Sequence, residues 1–166
     1  MYDVKRQLFA EHQQIAFSSQ YLARVARAGA KTSELRECWA HFEVGLLDHL
    51  AAEERHLFGL VVEAHRAGVE ALRAEHAQIR HALVELGRSV DLGKVNFEQL
   101  DRLRELLAAH SDHENRSLYQ WLEERDGSGT HPASKALELR AKANTTRARA
   151  VTAPAIPCRM RTARTP

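Results

Sequence analysis

Cysteine is scarce in this 166-residue chain: Cys38 and Cys158 are the only two. Two widely separated cysteines make no disulfide framework, and the chain reads as one suited to a reducing cytoplasm. Long apolar runs are missing too. None approaches the roughly 18 residues that a bilayer-spanning helix needs, so no membrane association is expected. The opening MYDVKRQLFAEH has neither the apolar centre nor the cleavage site of a secretory signal. There is no glycine-rich phosphate loop, no haem-attachment Cys-x-x-Cys-His and no zinc-finger spacing. Convincing strand patterns are also lacking, which leaves an all-α chain.

What is present is helical periodicity. Apolar residues recur at helix spacing in four segments, 4–28, 34–64, 69–88 and 97–125, separated by RAGAKTS, AHRAG and VDLGKVN. Thr32 or Ser33 is placed to cap the second helix. Four segments of this length with short connections predict an antiparallel up-down-up-down four-helix bundle. Charge then divides the chain. Residues 1–126 carry 16 basic and 21 acidic side chains, whereas residues 127–166 carry 8 and 1. The reversal marks a boundary between an acidic bundle, 1–126, and a basic C-terminal extension, 127–166. That tail opens with the linker-like GSGTHPASK and has no aromatic residues among its cations. Base stacking therefore has little support, and a protein partner fits the tail better than nucleic acid.

Nine of the ten histidines lie between residues 12 and 113. Positions three or four apart share a helix face, and on that test each helix turns one histidine inward. The stripes are Leu8–His12–Ile15–Ser19–Leu22, Phe42–Leu46–His49–Glu53–Leu57, Leu72–His76–Ile79–Leu83 and Leu103–Leu107–His110–Glu114–Leu118. Two of them carry His-x-x-x-Glu, as HLAAE at 49–53 and HSDHE at 110–114. Distance from the turns is a second test. His12 and His49 lie 18 and 19 residues from a turn near residue 30, and His76 and His110 each lie 17 from one near residue 93. In an antiparallel bundle such groups share one layer.

Two buried carboxylates and four imidazoles are costly to desolvate alone. Divalent cations satisfy both kinds of group at once. Six donors exceed the needs of one tetrahedral zinc. Divided as two imidazoles per ion with both carboxylates bridging, they give each of two ions four ligand atoms and leave positions open. The mixed nitrogen and oxygen set ranks iron first. EERH at 53–56 has the ferritin Glu-x-x-His form, but the fourth helix lacks an inward counterpart, so His56 is expected to flank the site. Glu54 and Glu75 fall off the apolar stripes and are expected at the surface, with His41, His65 and His131. His113 is open between an outer partner of the site and a surface group. Cys38 reads as a small, partly buried hydrophobe. Cys158, among basic residues, is the better candidate for oxidation.

Around these positions the chain resembles the hemerythrin-like family, also called hemerythrin HHE cation-binding domains. The similar stretches are EHQQI around His12, HLAAEERHLF from His49, EHAQIR around His76 and HSDHEN from His110. The resemblance covers about residues 4–125 and implies an oxo- or hydroxo-bridged centre of two iron ions. His12 and His49 would serve one iron, His76 and His110 the other, and Glu53 and Glu114 would bridge them. Family members bind or reduce small ligands: some carry dioxygen, others sense oxygen or iron, or handle nitric oxide or peroxide. Oxygen carriers have a second histidine where this chain has Arg80, which cannot ligate iron, and an aspartate where it has Glu114. The expected function is a non-haem di-iron protein that binds or senses dioxygen, nitric oxide or peroxide. A catalase-like, peroxide-disproportionating enzyme and an interaction bundle with a structural metal are the alternatives. No catalytic acid or base beyond the ligands can be assigned.

Overall fold

The computed structural model describes residues 4–126. It is all-α: α1 is Val4–Arg27, α2 Thr32–His56, α3 Arg66–Asp91, α4 Phe97–Arg116 and α5 Leu118–Asp126. Two short 3₁₀ turns, Phe58–Leu60 and Glu63–His65, join α2 to α3. The helices α1 to α4 form a four-helix bundle in which α1 packs on α2 and α4, and α3 on α2 and α4. Among the described residues no helix is long and apolar enough to cross a membrane. The basic segment 127–166, which the charge pattern sets apart as a tail, lies outside the described residues.

Local chemistry sets the helix ends. Gly29 and Gly93 adopt φ of 70° and 74°, the left-handed conformation that closes a helix and that glycine reaches without a Cβ penalty. Beyond them, the amides of Ala30 and Lys94 reach back to the carbonyls of Val25 and Ser89 at 3.3 and 3.0 Å. Asn96 caps α4 by accepting from the Gln99 amide at 3.2 Å. The expected cap at Thr32 or Ser33 does not form. Lys31 occupies that position and its side chain caps nothing.

Two further boundaries differ from the periodic reading. The second helix stops at His56 rather than near 64, because the chain turns to bury Phe58 against the His76 ring, 5.3 Å away between centroids. The fourth helical segment breaks at Ser117. The Ser117 hydroxyl donates to the His113 carbonyl at 2.5 Å, and such side-chain competition for a helix carbonyl bends the rod.

The apolar stripes separate into two clusters. One holds Leu22, Trp39, Leu46, Leu83, Leu86 and Leu100; the other holds Leu8, Leu57, Leu72, Leu118, Tyr119 and Leu122. On every helix of the bundle the inward polar residues fall between a member of one cluster and a member of the other. His12 lies between Leu8 and Leu22, Glu53 between Leu50 and Leu57, His76 between Leu72 and Ile79, and His110 and Glu114 between Leu103 and Leu118. The bundle is thus an apolar rod with a polar layer across its middle.

Leu86 is fully buried in the first cluster. Leu86→Ala should lower folding stability by about 2–5 kcal/mol, the usual cost of a core cavity, while metal uptake per folded chain stays unchanged. Equilibrium denaturation alongside metal analysis checks both halves of this expectation.

Candidate metal centre

His12, His49, Glu53, His76, His110 and Glu114 come together in that middle layer as two overlapping groups. His12, His49, Glu53 and Glu114 form one, and Glu53, His76, His110 and Glu114 the other. Within each group, one ligand-type atom from every residue lies within 4.8 Å of all the others. Both carboxylates are wholly buried and His12 is the most exposed member, at 10% of its side chain. The rings pair edge to face, His12 with His49 at 4.8 Å and His76 with His110 at 4.7 Å between centroids.

The carboxylates belong to both groups because their oxygens divide between them. Glu53 Oε1 lies 3.1 Å from His49 Nε2, and its Oε2 lies 3.5 Å from His76 Nε2. Glu114 Oε2 lies 3.1 Å from His12 Nε2, and its Oε1 lies 3.5 Å from His110 Nε2. Two donors about 2.1 Å from a common ion at right angles are about 3 Å apart, so these spacings suit shared cations.

A second layer of contacts aims the imidazoles. His49 Nδ1 meets Glu11 at 3.1 Å, His76 Nδ1 meets Glu54 at 2.8 Å, and His110 Nδ1 meets Glu75 at 2.9 Å. A carboxylate can only accept, so each Nδ1 carries the proton and each Nε2 presents its lone pair to the centre. His12 differs, for its Nδ1 faces the Ser111 hydroxyl at 3.0 Å. Arg80 donates to Glu54 at 2.9 Å and so braces the carboxylate behind His76. His113 shares Glu75 with His110, at 2.6 Å.

These contacts test whether metal fits. His76 Nε2 and His110 Nε2 stand 3.2 Å apart. With both Nδ1 atoms protonated, two lone pairs face each other, an arrangement that a cation relieves. The buried Nε2 atoms of His12 and His49 and both oxygens of Glu114 likewise make no hydrogen bond, although water has been lost from all of them. The donor set suits divalent metal of the iron or zinc kind.

The ionisation of the layer follows from burial set against the facing charges. Burial holds His76 and His110 below the ordinary histidine range, against the pull of their carboxylate neighbours. For His12 burial acts the same way, but Glu114, Glu53 and Glu11 outweigh it and raise its pKa. Glu114 is held below the carboxylate range because His12, His110 and His49 overcome its desolvation. Tyr119 is pushed far up by burial and by the charges of Glu114, Glu53 and Glu11. It therefore stays protonated, and its buried hydroxyl makes no hydrogen bond among the described residues.

A cleft of about 340 Å³ opens between α1, α2 and α4 onto His12, His49 and His110. Phe9, Ile15 and Leu107 give it apolar walls, and Arg104 and Asp112 also line it.

Sequence periodicity brought out the six central residues and missed the layer behind them. Glu54 and Glu75, expected at the surface, are only 26% and 31% exposed and bond to histidines. Glu11, Ser111 and Tyr119 were not singled out. The available signal was adjacency: each of Glu11, Glu54, Glu75 and Ser111 sits beside a central residue in sequence. His81 is exposed and paired with Glu85, and His65 stacks on Trp121.

In comparisons with known proteins, the model of the hemerythrin HHE cation binding domain matches residues 4–122. No curated protein and no solved structure matches the chain.

With metal removed by chelation, stability should fall as pH drops from 7.5 to 5.5. His76 and His110 bind protons less readily folded than unfolded, so the unfolded state gains protons first through the ordinary histidine range, about 6.5. His12 acts with the opposite sign. A melting temperature that rose toward pH 5.5 would contradict this assignment of neutral histidines.

Proposed function

The chain belongs to the hemerythrin HHE cation-binding domain family, and on that premise we propose that it is a non-haem di-iron protein that binds or senses dioxygen, nitric oxide or peroxide. The observation that carries this reading is the division of the Glu53 and Glu114 oxygens between two groups of histidines. On this reading His12 and His49 would hold one ion and His76 and His110 the other, with Glu53 and Glu114 serving both. Iron, when bound, supplies open coordination positions and reversible one-electron oxidation.

The rest is the work of the protein. Glu53 and Glu114 fix the spacing of the two groups and cancel cationic charge in a layer where both carboxylates are wholly buried. Glu11, Glu54 and Glu75 keep three imidazoles in the ligating tautomer. Leu46, Ile79 and Leu83 dry the layer from one side, which limits stray proton transfer. The cleft of about 340 Å³ gives a small ligand an approach to His12, His49 and His110. Tyr119, held protonated close to the carboxylates, is the available neutral donor.

The same contacts support helices that alternate in direction. Glu11 and Glu75 precede a central residue on α1 and α3, while Glu54 and Ser111 follow one on α2 and α4. A step back along an upward helix and a step forward along a downward one turn in the same sense, about 100° each. All four partners then reach the next helix round the bundle, as they do here.

Iron loading under anaerobic conditions followed by metal analysis tests the proposal. About two irons per chain are expected, with a visible absorption change on adding dioxygen or nitric oxide. Glu53→Ala should lose most of that iron, because it removes a donor from both groups. Peroxide consumed with matching oxygen release would assign turnover rather than binding. Iron-free protein with an unchanged spectrum would move the weight to a structural metal.

A further inference from the structure

The four outer contacts form a closed ring. Glu11 of α1 holds His49 of α2, Glu54 of α2 holds His76 of α3, Glu75 of α3 holds His110 of α4, and Ser111 of α4 holds His12 of α1. Three links end in a carboxylate and one in a hydroxyl. The difference is chemical as well as electrostatic. A carboxylate obliges the imidazole to keep its proton on Nδ1. A serine hydroxyl donates or accepts equally well, so it leaves His12 free to carry the proton on Nε2 instead. In that tautomer the proton faces a carboxylate, since Glu114 Oε2 lies 3.1 Å from His12 Nε2. It is also a tautomer that cannot offer Nε2 to a metal in the centre.

The break falls on the open side of the centre. His12, His49 and Ser111 line the cleft; of the other pair His110 also reaches it, but His76 is wholly buried with Phe58 stacked on its ring. The His76 and His110 half has two carboxylate-backed imidazoles, and one of its carboxylates is braced by Arg80. The His12 and His49 half has one.

We infer that Ser111 makes the two halves unequal: the ion at His76 and His110 binds first and tightly, and the ion at His12 and His49 binds second and exchanges through the cleft. This rests on the dinuclear reading above. Ser111 acts as a positioning residue, through His12. Loss of one outer partner typically changes metal affinity by about 10–100-fold, and that is the separation expected between the two steps. At limiting metal the protein then holds a single ion at His76 and His110, with the His12 and His49 half unfilled.

The full-length chain, stripped by chelator, can be titrated with cobalt(II) against a competing chromophoric chelator, with cobalt absorption as a second readout. Two steps about 10–100-fold apart are expected. His12→Ala should abolish the weaker step and leave the tighter one, while His76→Ala should remove the tighter one. Ser111→Asp should strengthen the weaker step about tenfold or more and leave the tighter step in place. Ser111→Ala, the milder change, should weaken only the weaker step. Two ions bound in one step, or a Ser111 variant that moves both steps equally, would overturn the inference and leave the dinuclear centre standing. Fewer than two ions at saturation would overturn both together.

Discussion

Two carboxylates with no exposed surface and four imidazoles share the middle of an apolar rod, and the cost of burying them governs much of the surrounding structure. Stripping water from an ionised carboxylate costs several kcal/mol even after relaxation, so such groups persist only with strong partners. Within the layer they have one another, at 3.1 to 4.0 Å. That leaves His76 Nε2 and His110 Nε2 facing each other and Glu114 without a hydrogen bond. Divalent cations would resolve both deficits. On the proposed reading, metal binding and completion of the core are one event.

The outer contacts extend the same logic by one shell. An imidazole is a ligand only when its proton sits on the far nitrogen, and a carboxylate behind that nitrogen secures it. Helix geometry makes the arrangement economical. The residue next to an inward one points about 100° away, which in a four-helix bundle is toward the neighbouring helix. Sequence neighbours of one helix's central residues thereby serve the histidine of the next. Arg80 belongs to this layer too. Its cation holds Glu54 below the carboxylate range, through their hydrogen bond and against the effect of burial, so the group behind His76 remains an acceptor.

Much of this was legible in the sequence because a buried stripe repeats with helix period. The all-α bundle, the four inward histidines and the two glutamates one turn after His49 and His110 all follow from that period. What periodicity could not show is which off-stripe residues face a neighbouring helix rather than solvent. Glu54 and Glu75 have the phase of surface residues, and only the packing of adjacent helices distinguishes the two cases. Helix ends were lost for a similar reason. Nothing in the period of Leu57 and Leu60 announces that Phe58 turns in to cover His76, and a lone Ser117 does not announce a break until its hydroxyl takes a helix carbonyl.

The most direct test of the account is X-ray absorption at the iron edge on the iron-loaded chain. A dinuclear centre bridged by Glu53 and Glu114 predicts a metal neighbour within about 4 Å of each iron, with nitrogen and oxygen donors and no sulfur. Iron bound with no metal neighbour would contradict the shared carboxylates at the heart of the account.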